Sequence, residues 1–286
     1  MDSVTLNNGI LMPVLGFGVF QMTDPDQCEE SVFNALKAGY RLIDTAAAYG
    51  NEEAVGKAIK RSEVPREELF ITTKLWIQDY GDTKTEAAFE RSLRRLDLDY
   101  LDLYLLHQDY GDVYGAWRSL ERIYKRGGSR SIGVSNFTPD RLLDLMMHNE
   151  IAPMVNQIEC NPYCQQIESH QFMVEHNVQM EAWSPLATGL NNIFEDERLQ
   201  AIAKKYNRSI AQIVLRWILQ RNIVVIPKAA NREHMLDNLK VFDFKLSDDD
   251  MESITELNTE TSVYFGQMAH RDPATVQTLG SMKFPT

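Results

Sequence analysis

The stretch YRLIDTAAAYGNE (Tyr40–Glu52) joins a strand, a turn and the start of a helix in one short span. An apolar run ends in a carboxylate, Asp44, and Tyr49 follows just past three alanines. A buried ion at a strand end costs several kcal/mol unless something pairs with it, so Asp44 implies a cation. Behind Asn51, placed to cap a helix, Ala54, Val55, Ala58 and Ile59 recur at helical spacing.

The same alternation runs outward in both directions. Strand candidates are PVLGFG, YRLIDT, LFITTK, LDLYLLH, RSIGVSN, MVNQIE, VQMEAWSP and NIVVIPK. Helical patterns such as NEEAVGKAIKR, TKTEAAFERSLRRL, YGAWRSLERIYKRG, TPDRLLDLMMHN and RLQAIAKKY lie between them. The strands are apolar nearly throughout, as a parallel sheet covered on both faces requires. Eight of them with helical crossovers predict an α/β fold, a (β/α)8 TIM barrel. A doubly wound open sheet is the competing arrangement, and periodicity does not separate the two. VTLNNGILMP predicts an N-terminal β-hairpin, its Asn-Gly tolerating the positive φ of the turn. No Pro/Gly/Ser-rich linker divides residues 1–286, so a single barrel domain is expected.

The net charge of −12 argues against a nucleic-acid or anionic-membrane partner. Cys28, Cys160 and Cys164 are too few for a disulfide framework and suit a reducing cytosol. No His/Cys cluster completes a metal site around Cys160 and Cys164. The N-terminus lacks a basic segment followed by an apolar core, and no apolar run approaches the ~18 residues of a membrane span. A soluble, cytoplasmic, metal-free protein is expected.

Several strands finish in polar residues: Asp44, Lys74, His107, Ser135 with Asn136, and finally Lys228, with Gln157 on the sixth and Trp183 on the seventh. Singly, each has an ordinary reading as a cap, a rim charge or a satisfied core residue. In a barrel, however, all parallel strands aim their C-terminal ends at one rim, where active sites are built. Capping does not select Lys and His at successive apolar strand ends. Asp44 would then keep Lys74 charged and aimed. The ammonium would lower the Tyr49 phenol from about 10 by roughly 1 to 3 units, toward a proton donor for a developing alkoxide. His107 could orient the same oxygen. The implied chemistry is carbonyl reduction.

In its ordered pieces GYRLIDTAAAYGNEEAVGKAI, ITTKLW, YLDLYLLH, IGVSNF, NQIECNPY, WSPLATG and IPKAANREHMLDN, the chain resembles the aldo-keto reductase family, bacterial-type members acting on diketo sugar acids included. The resemblance implies a catalytic tetrad of Asp44, Tyr49, Lys74 and His107, and a nicotinamide cofactor stretched over the barrel mouth. GFGVFQ lacks the third glycine and the βαβ setting of a Rossmann fingerprint. By the same likeness Ser135, Asn136 and Gln157 bind the carboxamide, and Trp183 stacks beneath the nicotinamide. Ser184 and Leu186, with the ATGLNN loop, cover the pyrophosphate. Lys228, Ala229, Arg232, His234, Asp237 and Asn238 would hold the far end of the cofactor.

That last segment departs from the family's form. Ala229 stands where serine is usual, His234 where arginine clamps a 2′-phosphate, and Asp237 where glutamate is usual. Histidine lacks the permanent planar fork of arginine. NADPH is therefore expected with a weakened preference and appreciable NADH use. On the substrate side the likeness puts Phe20 and Trp76 beside Tyr49 and His107. Gln108 replaces an indole, and Asp109 adds a carboxylate facing pocket or solvent. This favours short aldehydes, dicarbonyls and keto-sugars. The tail SVYFGQMAHRDPATVQTL is expected to form a C-terminal loop over the mouth, with Phe265 as a wall candidate. A monomer is expected, since relatives are often monomeric. Two rivals are an aldolase with a Schiff base on Lys74, disfavoured because a paired lysine stays protonated, and a binding module that senses the cofactor without turnover.

Overall fold

A computed structural model describes residues 2–189, 192–229, 231–262 and 272–284. The chain opens as the expected hairpin, β1 (Ser3–Thr5) against β2 (Leu11–Pro13), antiparallel, with Gly9 at φ +85° in the turn. Eight parallel strands follow in sequence order: β3 (Gly16–Gly18), β4 (Leu42–Asp44), β5 (Phe70–Leu75), β6 (Leu103–Leu106), β7 (Ile132–Ser135), β8 (Val155–Glu159), β9 (Gln179–Trp183) and β10 (Val224–Val225). The seam between first and last is closed by a parallel bridge from Leu15 to Val225 and by Gly18 N–H donating to Pro227 O at 3.1 Å. The arrangement is thus a barrel, not an open sheet. Every residue of β3 to β8 is buried, which is why those runs lack polar alternation.

The described helices are α1 (Pro25–Ala38), α2 (Glu52–Ser62), α3 (Lys84–Leu96), α4 (Val113–Lys125), α5 (Pro139–Met147), α6 (Ile167–Glu175), α7 (Glu197–Tyr206), α8 (Ile210–Gln220), α9 (Arg232–Leu239), α10 (Asp248–Thr255) and α11 (Pro273–Ser281). Local chemistry sets their ends. Asp24 accepts from Gln27 N–H ahead of Pro25, and Gly39 leaves α1 at φ +110°. Ser209 and Gln212 form a reciprocal capping box at α8. The three cysteines are free and buried.

Asn51 corrects one expectation. It precedes α2, yet its side chain caps nothing. Its oxygen accepts from Thr45 Oγ1 at 2.7 Å, while its amide donates to Val19 O and Met22 O at 3.0 and 3.2 Å. The residue thus ties the turn carrying Tyr49 to the segment after β3 that carries Phe20. Three buried partners claim the amide, and it is not spent on the helix end.

Gly56 sets how closely α2 approaches α3. A Cβ there would sit 2.4 Å from Leu96 O and 2.6 Å from Leu96 C, both backbone atoms that cannot rotate aside. Gly56→Ala is expected to destabilise the protein by about 1 to 3 kcal/mol, read as a lower urea midpoint at unchanged slope.

Candidate active site

Asp44 closes β4, and β5 runs beside it in parallel register, carrying Lys74 toward the same rim. Lys74 is fully buried, and its three N–H donors have three acceptors: Asp44 Oδ1 at 2.5 Å, Thr45 O at 3.0 Å and Tyr49 Oη at 3.3 Å. Tyr49 ends a short turn, Ala47–Tyr49, which Gly50 leaves at φ +68°. His107 lies just past β6. Its N–H donates to Leu75 O at 3.0 Å and its ring stands edge-on to Tyr49, 5.7 Å between centroids. The four residues expected at the rim therefore converge.

Burial disfavours charge at each of these groups. For Lys74 that penalty is outweighed by Asp44, Tyr49 and Glu181, and the ammonium is held above its ordinary value. Burial, then Lys74, keeps the His107 imidazole well below its usual range, so the ring is neutral at pH 7. The Tyr49 phenol corrects the expected acidification. Burial pushes it above its ordinary value, and the pull of Lys74 offsets this only in part. Tyr49 is accordingly fully protonated near neutral pH.

Beneath this rim lies a residue absent from the sequence reading. Gln157 Nε2 donates to Asp44 Oδ2 at 2.8 Å and to Glu181 Oε2 at 2.9 Å, and Glu181 is completely buried on β9. Its signal was available: Glu181 and Trp183 are two apart on one strand and so share a face. Trp183 is half-buried, and its Nε1 donates to Asn136 Oδ1 at 3.0 Å. Asn136, at φ +63°, donates to His107 O at 3.0 Å, and Ser135 Oγ donates to Gln157 O at 2.8 Å. Ser184 and Leu186 follow on the next turn, half-buried, with Ser184 at φ +49°. Leu190 and Asn191 of that loop lie outside the described residues, as does Phe265.

The far group is more dispersed. Lys228 Nζ reaches Gln21 Oε1 at 3.4 Å across the barrel seam. Ala229 is buried; Arg232 and His234 are exposed on α9. Asp237 pairs with Lys240 at 2.9 Å, and Asn238 is buried against the Tyr40 phenol.

On the substrate side Phe20, 40% exposed, lies 4.9 Å from the Tyr49 ring, and Trp76 stands edge-on to His107 at 5.1 Å. Gln108 and Asp109 are both buried. Asp109 therefore does not face open solvent. Tyr80 pins this loop, donating through Oη to Gln108 O at 2.8 Å and accepting from Gln108 N–H at 3.0 Å. An unforeseen contact comes from the chain's end. Phe284 packs edge-on against Trp76 at 5.2 Å, exchanges two hydrogen bonds with Gln78, and Trp76 Nε1 donates to Met282 O at 3.2 Å. No helix among the described residues is long and apolar enough to cross a membrane, and no metal-binding cluster occurs among them.

A closed parallel barrel thus gathers an aspartate–lysine–tyrosine chain and a neutral histidine at its C-terminal rim. Residues 14–259 match the model of the aldo/keto reductase family, and the chain belongs to it. It is 49% identical over 263 residues to a glyoxal reductase of Bacillus subtilis, covering 92% of this chain and 95% of the relative. It is 45% identical over 260 residues to methylglyoxal reductase DkgA of Yersinia pestis, covering 89% and 92%. Among solved structures, a Bombyx mori aldo-keto reductase in complex with NADP superposes with a TM-score of 0.89 at 31% identity, covering 96% of each chain.

Removing one partner of a buried ion pair strands the other. Lys74→Met is expected to cost about 3 to 5 kcal/mol of stability, and Lys74→Met with Asp44→Asn to recover at least about half. Urea unfolding of the four proteins of this cycle measures the coupling.

Proposed function

We propose that this protein reduces aldehydes and ketones to alcohols with a nicotinamide cofactor, Tyr49 acting as general acid. The observation that carries this reading is the unbroken contact from Asp44 through Lys74 to Tyr49, at 2.5 and 3.3 Å, beside a neutral His107. The mouth residues fit a flat, amide-bearing ring. Trp183 offers a half-buried indole face whose edge Asn136 holds in place. Ser135, Asn136 and Gln157 gather hydroxyl and amide groups beside it, with Ser184 and Leu186 along the way out. When bound, the reduced nicotinamide supplies hydride.

The chain's own residues do the rest. Phe20 and Trp76 wall a space above Tyr49 and His107, with Gln108 in the loop behind. Neutral His107 can donate an N–H to the carbonyl oxygen without competing for the proton. Tyr49 passes its phenolic proton to that oxygen as negative charge develops there. Lys74 stabilises the phenolate left behind, and Asp44 keeps Lys74 charged. A pure cofactor sensor needs none of this proton machinery, and Lys74, held charged, is a poor Schiff-base nucleophile.

Short aldehydes, dicarbonyls and keto-sugars are the proposed substrates, the dicarbonyls in keeping with the names of the two bacterial relatives. NADPH is the proposed cofactor, with NADH accepted. Lys228 and Arg232 leave two cations for a 2′-phosphate, while Ala229 and His234 supply neither a hydroxyl nor a permanent charge. Asp237 and Asn238 take support positions behind them.

Tyr49→Phe should retain cofactor binding, read by quenching of tryptophan fluorescence, and lose at least about a hundredfold in kcat. Near-normal turnover of methylglyoxal would remove the acid assignment. In the wild type, kcat/KM for NADPH should exceed that for NADH by less than roughly a thousandfold, about 4 kcal/mol. A larger ratio would show an intact phosphate clamp.

A further inference from the structure

We propose that Glu181 is a positioning residue of the proton-donating site: it carries a carboxylic-acid proton at rest and orients Tyr49's support through Gln157. This rests on the function proposed above and adds a titrating group to it.

An ammonium has three N–H donors, and those of Lys74 go to Asp44, Thr45 O and Tyr49. None remains for Glu181. Gln157 Nε2 has two, one for Asp44 Oδ2 and one for Glu181 Oε2. Glu181 Oε1 is buried and has no hydrogen-bond partner. The groups facing Glu181 are Asp44 from β4, Lys74 from β5, Gln157 from β8 and, at longer range, Tyr49; on β10 its neighbour is Val224. With both carboxyls ionised, this enclosed set would hold two negative charges against one positive. One proton makes it neutral, and a buried uncompensated charge costs far more than a neutral acid. Burial raises both carboxyls, but only Asp44 has the ammonium in contact and so keeps the charge, which leaves the proton to Glu181. Burial, then Asp44, pushes the Glu181 carboxyl up to about 8, against Gln157 and Lys74.

The consequence is directional. The two carboxyls both take amide hydrogens, which turns the Gln157 N–H2 group inward and its oxygen away from them. When Glu181 ionises, its charge makes Tyr49 harder to deprotonate, hence a weaker acid, as the contribution of Glu181 to Tyr49 has that sign. Carbonyl reduction should therefore slow as pH rises through the Glu181 titration.

Two readouts test this. Infrared difference spectra of wild type, without cofactor, should show a buried carboxylic-acid carbonyl band at neutral pH that fades through about 8 and is missing in Glu181→Gln. In steady-state reduction, wild-type kcat should fall about threefold between about pH 6.5 and pH 9, whereas Glu181→Gln should stay within about 1.5-fold over that range. Superimposable pH profiles, or no such band at neutral pH, would overturn the assignment. A wild type that oxidises no nicotinamide with any carbonyl compound would instead defeat the proposed function. The infrared arm, which compares wild type with Glu181→Gln and needs no turnover, would still decide whether Glu181 holds a proton.

Discussion

Lys74 brings a full positive charge into the interior of a barrel, and the surroundings of the rim follow from accommodating it. An ammonium removed from water must recover its hydrogen bonds and find a counter-charge within contact distance. Asp44 meets the second need and part of the first; Thr45 O and Tyr49 Oη complete the set. Neither residue could hold its place alone, since each on its own would be a stranded buried charge. The pair therefore fixes the approach of β4 to β5 at the rim and the position of the turn that carries Tyr49.

The fold adds a second constraint from the other side. Asn51, which follows Tyr49 closely, is held by three buried partners and joins the turn to the loop after β3. Tyr49 is thus located by a backbone turn, by Lys74 and by a brace to the Phe20 segment. The result is a phenol that stays protonated because it is buried, next to a cation that stabilises it once the proton has gone. Those two effects oppose one another in the resting pKa, and burial prevails. A permanently loaded donor whose conjugate base is stabilised on site suits a proton transfer that must follow charge developing on a neighbouring oxygen.

Around that centre the polar residues form layers. Ser135, Asn136 and Trp183 are linked at the mouth, while Gln157 and Glu181 lie below and connect back to Asp44. Beyond β10, Arg232 and His234 lie at the surface on α9. The end of the chain returns to the same face. Phe284 and Met282 dock on Trp76 and Gln78, which joins one wall of the site to the C-terminus.

The sequence by itself determined the order of strands and helices, the hairpin and the residues at the strand ends, because burial on both faces leaves long apolar runs and parallel strands deliver their last residues to one rim. The places of Asp44, Lys74, His107 and Trp183 were legible for that reason, and that of Tyr49 from the short turn that follows Asp44. The barrel was expected from eight strands with helical crossovers, but the contact that closes it, Leu15 meeting Val225, lies in no local pattern. Nor was the balance at Tyr49 legible, where charge pairing favoured an acidic phenol and only the depth of burial decided otherwise. Asn51 was read as a cap because its local position allowed one, and partners distant along the chain claimed its side chain. Glu181 went unread inside an apolar strand because what gives a carboxyl its meaning is the set of groups enclosed with it. That set is assembled only when strands far apart in sequence close around one axis.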